Sequence, residues 1–338
     1  MAKQTLSAQV YELTQRLEAL EKRLAASEEV APGAGPAEPQ VEHFCSVPEL
    51  PDRTFGPDVS EGRAQLIRTM SKKWVNGTVL HYYFFDRGSF GGSRAQQDVV
   101  RDAFQVWKDV GIGLEFEEVP SIQDAEIRIG FKRGDGSWSY LGRDILNQGQ
   151  LERTMNFGWD LTRAGEIDTA IHEIGHTLGF PHEHQNPNAG IVWDEAAVIA
   201  ALARPPNNWS EATTRWNIIR KIPPDTVEGS VWDPDSIMHY PFGPGLILEP
   251  ARYRTTALRP KPGLSQKDKE QVRLFYPPLE EEYPELKLFR SQLLSLGPGE
   301  QKNFTVLPDA SRDYNFRTFG ASDTVMVLFE EDPNGQLQ

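Results

Sequence analysis

The apolar positions of the chain form three successive patterns. Residues 6–24 carry Leu and Val at alternating spacings of four and three, which is the heptad stripe of a coiled coil. Residues 78–159 hold short strand-like runs with one stretch of helical spacing among them. Beyond residue 283, apolar residues alternate between turn signals. The order predicts a helix, then a mixed domain, then an all-β module.

The central pattern resolves into individual strands. Three of the four predicted strands alternate with period two, so each of those is expected to bury one face. The strands are predicted over 78–85, 114–119, 125–131 and 154–159. The stretch "GDGSWSYLG" combines turn residues with an aromatic segment at 137–142, which predicts an edge of the sheet.

The predicted helices lie between and after these strands. One spans 93–110, one begins with Asp168 as N-cap, and one runs from an N-cap at Ser265 to Pro277. Strands and helices in this order predict a mixed α/β sheet with helices behind it. After residue 184 the pattern becomes irregular, and a small second lobe is expected around four core tryptophans. These are Trp193, Trp209, Trp216 and Trp232.

Composition narrows the classes of function. The 338 residues carry a formal net charge of −14, which gives no electrostatic support for binding nucleic acid or anionic lipid. The sequence contains no apolar run long enough to insert in a membrane, and its first residues show no secretory signal. The single cysteine, Cys45, excludes an internal disulfide.

Four of the seven histidines fall within "HEIGHTLGFPHEH" at 172–184. On a helix, His172 and His176 project from one side a turn apart and can share one zinc ion. Glu173 beside them can act as a general base on a water at the metal. A left-handed turn at Gly179 would end the helix and bring His182 back as the third ligand.

The extended spacing makes a chance occurrence improbable, whereas a bare H-E-x-x-H would be a moderate signal. His184 lies past the pattern and is expected to be a solvated or hydrogen-bonding histidine. Three protein ligands leave the fourth position for water, as a catalytic zinc site requires.

With these residues the sequence resembles the metzincin zinc endopeptidases, whose motif is H-E-x-x-H-x-x-G-x-x-H followed by a Met-turn. Within them it is most similar to the astacin family, through "GFPHE" at 179–183 and "SIMHY" at 236–240. The resemblance covers residues 74–277. It implies a metzincin-type α/β (α+β) catalytic domain with a twisted mixed sheet, a backing helix, an active-site helix and a small irregular C-terminal lobe.

The resemblance also assigns roles. It implies that His172, His176 and His182 bind one catalytic Zn²⁺ and that Glu173 activates the water. Met238 would lie beneath the metal. Tyr240 would ligate zinc at rest and stabilise the oxyanion during catalysis, the alternative being a packed surface aromatic. Glu183 would meet the N-terminus of the activated enzyme.

The same resemblance implies that "GSWSYLG" aligns an extended substrate along its edge. The residues that would form this substrate-aligning edge are Trp138, Ser139 and Tyr140. Family members are commonly secreted and disulfide-linked, so secretion is expected from the resemblance although the chain shows no signal peptide and a lone cysteine.

Latency has two candidate explanations. Astacin pro-segments usually inhibit through an aspartate, and Asp58 fits that pattern poorly. "CSVPE" at 45–49 is similar to the inhibitory Cys-Gly-x-Pro-Asp segment of matrixins, which implies that Cys45 ligates the zinc of the latent enzyme. The alternative is a small buried thiol without a role.

The sequence thus divides into five predicted regions. The C-terminal one is similar to the first half of bacterial pre-peptidase C-terminal domains. The regions are a heptad helix at 1–28, a flexible linker at 29–42, a pro-segment-like region at 43–73, the zinc metallopeptidase domain at 74–278 and a partial β-sandwich at 284–338.

The predicted function is hydrolysis of internal peptide bonds in protein or peptide substrates. A non-catalytic zinc-containing binding or oligomerisation protein is the alternative. For either function, residues 6–24 are expected to form a homo-oligomer or to pack as a helix on the same chain. Another zinc hydrolase, such as an amidase, would share the chemistry but not the Met-turn.

Overall fold

The computed structural model describes residues 43–50, 72–222, 231–280, 283–296, 301–318 and Met326. The predicted heptad helix and linker lie outside the described residues, and so does Asp58. The heptad helix and the linker therefore stay predictions.

A five-stranded mixed sheet forms the centre of the fold. Its strands are β1 (Val79–Phe84), β2 (Glu115–Glu118), β3 (Ile127–Gly130), β4 (Trp138–Ser139) and β5 (Met155–Asn156). Their order is β2-β1-β3-β5-β4. Only the β4–β5 pair is antiparallel, and the other three pairs are parallel. The predicted strands and the edge position of β4 are confirmed.

Five α-helices follow the strands or alternate with them in the described residues. They are α1 (Arg94–Asp109), α2 (Ile167–Thr177), α3 (Glu195–Leu202), α4 (Glu211–Thr214) and α5 (Gln266–Phe275). The first packs against the second, which places α1 behind the helix that carries the H-E-x-x-H residues. A short antiparallel pair, β6 (Val192–Trp193) and β7 (Ile247–Glu249), lies in the second half of the domain.

The helix starts show where local sequence signals hold. Ser265 caps α5, as predicted, and the structure shows that it does so through a capping box. The prediction that Asp168 caps α2 is wrong, because the helix begins at Ile167 and Glu166 occupies the N-cap. The Asp168 carboxylate instead accepts a hydrogen bond from the Gly263 backbone N–H at 3.0 Å, a contact distant in sequence.

The expectation of a single buried face is wrong for β3 and β5. All four residues of β3 are buried, and so are both residues of β5. The loop after β4 covers the second face, where the guanidinium of Arg128 donates to backbone carbonyls of Glu152 and Ala125 at 2.7 and 3.1 Å. These bonds satisfy a charged group that is 2% exposed.

Two apolar clusters hold the domain together. The sheet core joins the sheet to α1, α2 and α5, with Leu80, Trp107, Ile127 and Ile174 among its members. The aromatic core lies in the irregular second half and contains Phe44, Cys45, Trp193, Ile218, Tyr240 and Phe242. The irregular lobe predicted from the sequence is therefore organised around aromatic side chains.

The four tryptophans of that lobe divide into two groups. Trp193 is buried in the aromatic core, and Trp209 and Trp232 pack against it while partly exposed. Trp216 is half-buried, and the Arg220 guanidinium lies 4.1 Å from its ring centroid. The prediction of a core position is thus confirmed for Trp193 and wrong for Trp216, whose ring stacks against a cation.

The predicted C-terminal β-sandwich stays a prediction. Within the described part of 284–338, an isolated parallel bridge joins Glu285 to Thr305. None of the helices in the described part of the chain combines the length and apolarity that a membrane crossing requires.

Candidate metal centre

Two histidines on α2 are oriented by backbone carbonyls. His172 and His176 are 7% and 0% exposed, and the Nδ1 atom of each lies 2.7 Å from a carbonyl oxygen. The acceptor for His172 is Ile237, in the Met-turn, and the acceptor for His176 is Phe180, just past the helix. These contacts place the protons on Nδ1 and leave both Nε2 atoms free to bind a metal.

The third histidine is brought back by the glycine turn. Gly179 has φ +96°, and the Phe180 N–H donates to the Gly175 carbonyl at 3.0 Å, which closes the end of α2. Only glycine adopts such a φ without strain. The Nε2 atom of His182 then lies 3.1 Å from that of His176. The predicted reversal of the chain is what the structure shows.

Cys45 completes a group of four donors. Its Sγ atom lies 3.3, 3.3 and 3.2 Å from the Nε2 atoms of His172, His176 and His182. All four donor atoms lie within 4.8 Å of one another. Zn–N bonds near 2.05 Å and a Zn–S bond near 2.3 Å give tetrahedral edges of about 3.3–3.6 Å. The donor set therefore fits a zinc ion in both chemistry and spacing.

Burial sets the protonation of these groups in the absence of an ion. It lowers the pKa of His172 to about 4 and holds the pKa values of His176 and His182 well below the usual value. Neutral imidazoles are the form that binds metal. Burial, and next the charge of Glu173, raise the pKa of the Cys45 thiol well above its ordinary range.

The Glu173 carboxylate makes no hydrogen bond within the part of the chain that the structure describes. The residue is fully buried, and neither oxygen has a partner among the described residues. Burial raises the pKa of Glu173 well above its usual value, and the nearby Cys45 thiol opposes that rise. Burying a carboxylate without a hydrogen bond costs folding free energy. Its presence beside the ligand group therefore points to a chemical role.

Tyr240 reaches the same group from the aromatic core. Its hydroxyl lies 2.6 Å from the carbonyl oxygen of Cys45 and 3.0 Å from its Sγ atom. It also contacts Nε2 of His182. Burial raises the pKa of Tyr240 well above its normal value, so the phenol keeps its proton. The side chain is 4% exposed and is placed to donate a hydrogen bond into the site.

Met238 lies against the helix that holds the first two histidines. A Cβ atom added at Gly175 would meet the Met238 sulfur at 2.4 Å, so the thioether touches the backbone of α2 at that glycine. The Met238 carbonyl accepts from the Glu183 N–H at 2.9 Å. The Met-turn thus packs against both segments that carry the histidines.

The Glu183 carboxylate makes its hydrogen bonds to residues outside the group of four donors. One carboxylate oxygen accepts from the Asn186 side chain at 3.1 Å and from the Asp233 N–H at 2.9 Å. Burial raises the pKa of Glu183 to about 7. Its activation-related role stays a prediction.

His184 is buried, in contrast to one of the two expectations. It is 1% exposed, and its Nε2 atom lies 2.9 Å from the Asn217 carbonyl oxygen. It is absent from the donor group among the described residues. The hydrogen-bonding alternative is therefore confirmed, and the solvated one is wrong.

The edge segment lies beside the residues that carry Cys45. The Ser46 N–H donates to the Ser137 carbonyl at 3.2 Å, so Ser46 lies against the residue that precedes β4. Ser139 bonds to Thr177 of α2 through their hydroxyls at 3.0 Å, which ties the edge to the active-site helix. Trp138 and Tyr140 are half-buried and stack edge to face at 5.7 Å.

The structure also brings in residues that the sequence did not indicate. Asp268 of α5 accepts from the Ser236 hydroxyl at 2.6 Å and from the Ile237 N–H at 2.8 Å. The Ile237 carbonyl in turn lies 2.7 Å from Nδ1 of His172. Asp268 therefore helps to position His172 through Ile237. The only local signal was its place in the capping box of Ser265, which explains the helix start and not this contact.

Comparison with known proteins places this chain in a family. The family profile described as Astacin, a peptidase family, matches residues 66–243. The solved structure of myroilysin is 34% identical with a TM-score of 0.55, covering 62% of this chain and 97% of that one.

Curated relatives match over shorter shares of their own length. Zinc metalloproteinase nas-36 of Haemonchus contortus is 32% identical over 38% of this chain and 19% of that protein. Bone morphogenetic protein 1 of Xenopus laevis is 28% identical over 64% of this chain and 28% of that protein. The matched region thus spans less than a third of either relative.

The three imidazoles on α2 and its glycine turn, together with these matches, define the class of the protein as a zinc metallopeptidase that uses one catalytic zinc ion. The chain belongs to the astacin family of peptidases. The alternative of a non-catalytic zinc protein is not favoured.

Proposed function

We propose that this chain is a zinc-dependent endopeptidase in which Glu173 is the general base and Cys45 keeps the unprocessed enzyme latent. The observation that carries the proposal is the unpartnered, fully buried carboxylate of Glu173 directly beside a ligand-competent histidine. A carboxylate in that position can remove a proton from a neighbouring group, and a water held at the metal would be that group.

His172, His176 and His182 would hold the metal through their Nε2 atoms. Zinc held there would supply a Lewis acid that polarises the scissile carbonyl. It would also lower the pKa of a water, so that the water can lose a proton and attack the carbonyl carbon. The carbonyls of Ile237 and Phe180 keep the Nδ1 protons in place and so preserve the ligand tautomer.

Glu173 would take the proton of the attacking water and later pass it to the leaving amine. The same carboxyl group would serve both steps: it gains the proton as the water attacks the carbonyl carbon and gives it to the amine nitrogen as the C–N bond breaks. Tyr240 keeps its own proton and would donate a hydrogen bond to the negative charge that develops on the carbonyl oxygen.

The substrate would lie extended beside β4, the edge strand of the sheet. The Ser46–Ser137 backbone bond supports this, since it is the contact that an added peptide strand would make. Main-chain recognition of this kind accepts many sequences, so protein or peptide substrates fit the site. Export from the cell stays a prediction.

The test of the endopeptidase proposal uses the activated protein with casein. Cleavage should stop with a zinc chelator, return when zinc is added back, and fall by roughly 10²–10⁴-fold in Glu173→Gln. Zinc content measured by mass spectrometry should be unchanged in that variant. Cleavage that persists in either the chelated or the Glu173→Gln protein would contradict the proposal.

Latency rests on the position of the Cys45 thiol among the three imidazoles, where water would otherwise have access. Soft sulfur is a good zinc ligand, so a tethered thiol competes strongly for the fourth position. Cys45→Ala should release activity in the unprocessed chain, measured as casein cleavage. Ser46→Ala is the matched control, because its backbone bond to Ser137 remains, and it should stay latent. Equal latency in both variants would mean that Cys45 is only a small buried thiol.

A further inference from the structure

Phe44 fills an aromatic pocket next to the candidate metal centre. The side chain is 6% exposed. Its ring lies 4.9 Å from that of Tyr240, 5.7 Å from that of Phe242 and 6.2 Å from that of Trp209. The Tyr240 and Trp209 contacts are edge to face, a favourable geometry for aromatic pairs. The pocket therefore fits a large flat apolar side chain.

The position of Phe44 along the chain matters as much as its surroundings. It directly precedes Cys45, whose sulfur lies within 3.3 Å of all three histidine Nε2 atoms. In a substrate complex, the carbonyl of the cleaved bond would take the place of the Cys45 sulfur, and a residue beside that bond would take the place of Phe44. Phe44 thus occupies the space that one of the two flanking residues of a substrate would need.

The backbone around Phe44 is held as an extended peptide would be. The Phe44 N–H donates to the Asn207 side-chain oxygen at 3.0 Å. Two residues later, the Ser46 N–H donates to the Ser137 carbonyl at 3.2 Å. Both acceptors belong to the predicted catalytic domain and would stay in place beside a substrate backbone once residues 43–50 had left.

The walls of the pocket also belong to that domain. Tyr240, Phe242 and Trp209 lie beyond residue 200, so they remain when the segment around Phe44 is displaced. Displacement would then leave aromatic surface open to water beside the reacting groups. Refilling the pocket with another apolar side chain is favourable for the same reason that Phe44 is buried there.

From these contacts we infer that the pocket of Tyr240, Phe242 and Trp209 is a substrate subsite that selects an aromatic or large aliphatic residue next to the cleaved bond. Asn207 anchors the backbone of that residue. The inference rests on the proposed endopeptidase function and deepens it by naming the class of preferred substrate.

The first experiment maps cleavage sites with the full-length chain carrying Phe44→Ala and Cys45→Ala, which empties the pocket and frees the metal centre. A peptide library is digested, and the products are sequenced by mass spectrometry. Phe, Tyr, Leu and Met should be enriched at one position flanking the cut. An even distribution of residues at both flanking positions would overturn the inference.

The second experiment removes one wall of the pocket in the same background. Trp209→Ala should lower kcat/KM for a Phe-containing peptide by roughly 10–200-fold relative to the matched Ala peptide. Trp216→Ala is the control, because its ring stacks against Arg220 and it also removes one tryptophan. Equal effects of the two variants on the Phe-to-Ala preference would contradict a role for the pocket.

A third measurement separates failure of the inference from failure of the proposed function. Glu173→Gln is added to the chain that carries Phe44→Ala and Cys45→Ala. Fluorescence anisotropy then measures binding of a fluorescein-labelled alanine peptide that contains one central Phe. It should bind at least about tenfold tighter than the all-alanine peptide, a difference of about 1.4 kcal/mol. Equal binding would overturn the subsite even if casein were cleaved. Absence of any cleavage alongside selective binding would instead contradict the endopeptidase proposal.

Discussion

The sheet core and the aromatic core meet at the metal centre and contribute different kinds of residue to it. The sheet core holds α2, which carries His172, Glu173 and His176 on a regular, fully packed helix. The aromatic core holds Tyr240 and also contains Phe44 and Cys45, which come from the predicted pro-segment. Two of the three predicted ligands and the proposed general base are therefore on regular structure, whereas the segment that is proposed to leave packs in the irregular core.

This difference has a physical basis. A helix packed on two sides has one arrangement of its backbone, so side chains four residues apart keep their spacing. A pocket between aromatic side chains in loops can exchange one apolar side chain for another without breaking backbone hydrogen bonds. The division predicts that substitution of the histidines on α2 will abolish the site, whereas substitution of the aromatic residues around Phe44 other than Tyr240 will change what the site accepts.

The strongest test of the difference between the two cores compares two single variants, each of which replaces one buried histidine by alanine. His176→Ala removes a predicted ligand from α2 and should lower zinc affinity by more than the roughly 10–100-fold typical of losing a supporting contact. His184→Ala removes a buried histidine that bonds to Asn217, and zinc should remain bound in a one-to-one ratio. Zinc is measured by mass spectrometry after dialysis. Loss of zinc in both variants would remove the distinction between the cores.

The next prediction concerns the link between the cores. Asp268 accepts from Ser236 and Ile237, and the Ile237 carbonyl orients His172. Asp268→Asn keeps the shape but replaces one acceptor oxygen with a donor group, so the Met-turn should shift and zinc affinity should fall by roughly 10–100-fold.

Asp235→Asn is the control for this prediction. Asp235 pairs with Lys261 near the surface and makes none of the bonds that Asp268 makes to Ser236 and Ile237. Zinc affinity is measured by competition with a chelator. An equal and small effect of both variants would mean that Asp268 does not position the ligand.

The smallest expected effect tests the contact between α2 and the Met-turn. A Cβ atom at Gly175 would lie 2.4 Å from the Met238 sulfur, whereas one at Gly243 would meet nothing within 4 Å. Overpacking costs about 1–3 kcal/mol and the helix preference of alanine returns about 1 kcal/mol, so Gly175→Ala should lower the free energy of unfolding by up to about 2 kcal/mol. Gly243→Ala should leave it unchanged. Urea unfolding of the two variants decides the point.

The sequence predicted the regular half of the molecule well. The spacing of His172 and His176 on a helix, the turn at Gly179 and the return of His182 all follow from local rules, because each depends on residues within one or two turns. The strands of the sheet and the capping box at Ser265 were local signals of the same kind.

The contacts that the sequence did not predict join residues far apart along the chain. Asp168 was expected to cap its own helix, but its carboxylate bonds to Gly263, 95 residues away. Phe44 lies against Trp209 and Tyr240, and Asp268 reaches Ile237, without any periodic or spacing signal. Hydrophobic patterning identifies which residues are buried, and it does not identify their partners.

Phe44 and Cys45 have a consequence for how this protein can evolve. The pocket that holds Phe44 in the latent chain is the pocket we assign to the preferred substrate residue. A substitution at Trp209 or Phe242 that changed substrate preference would also change the fit of the inhibitory segment. Under these two proposals, selectivity and latency would be inherited together, and drift in one would require a compensating change in the other.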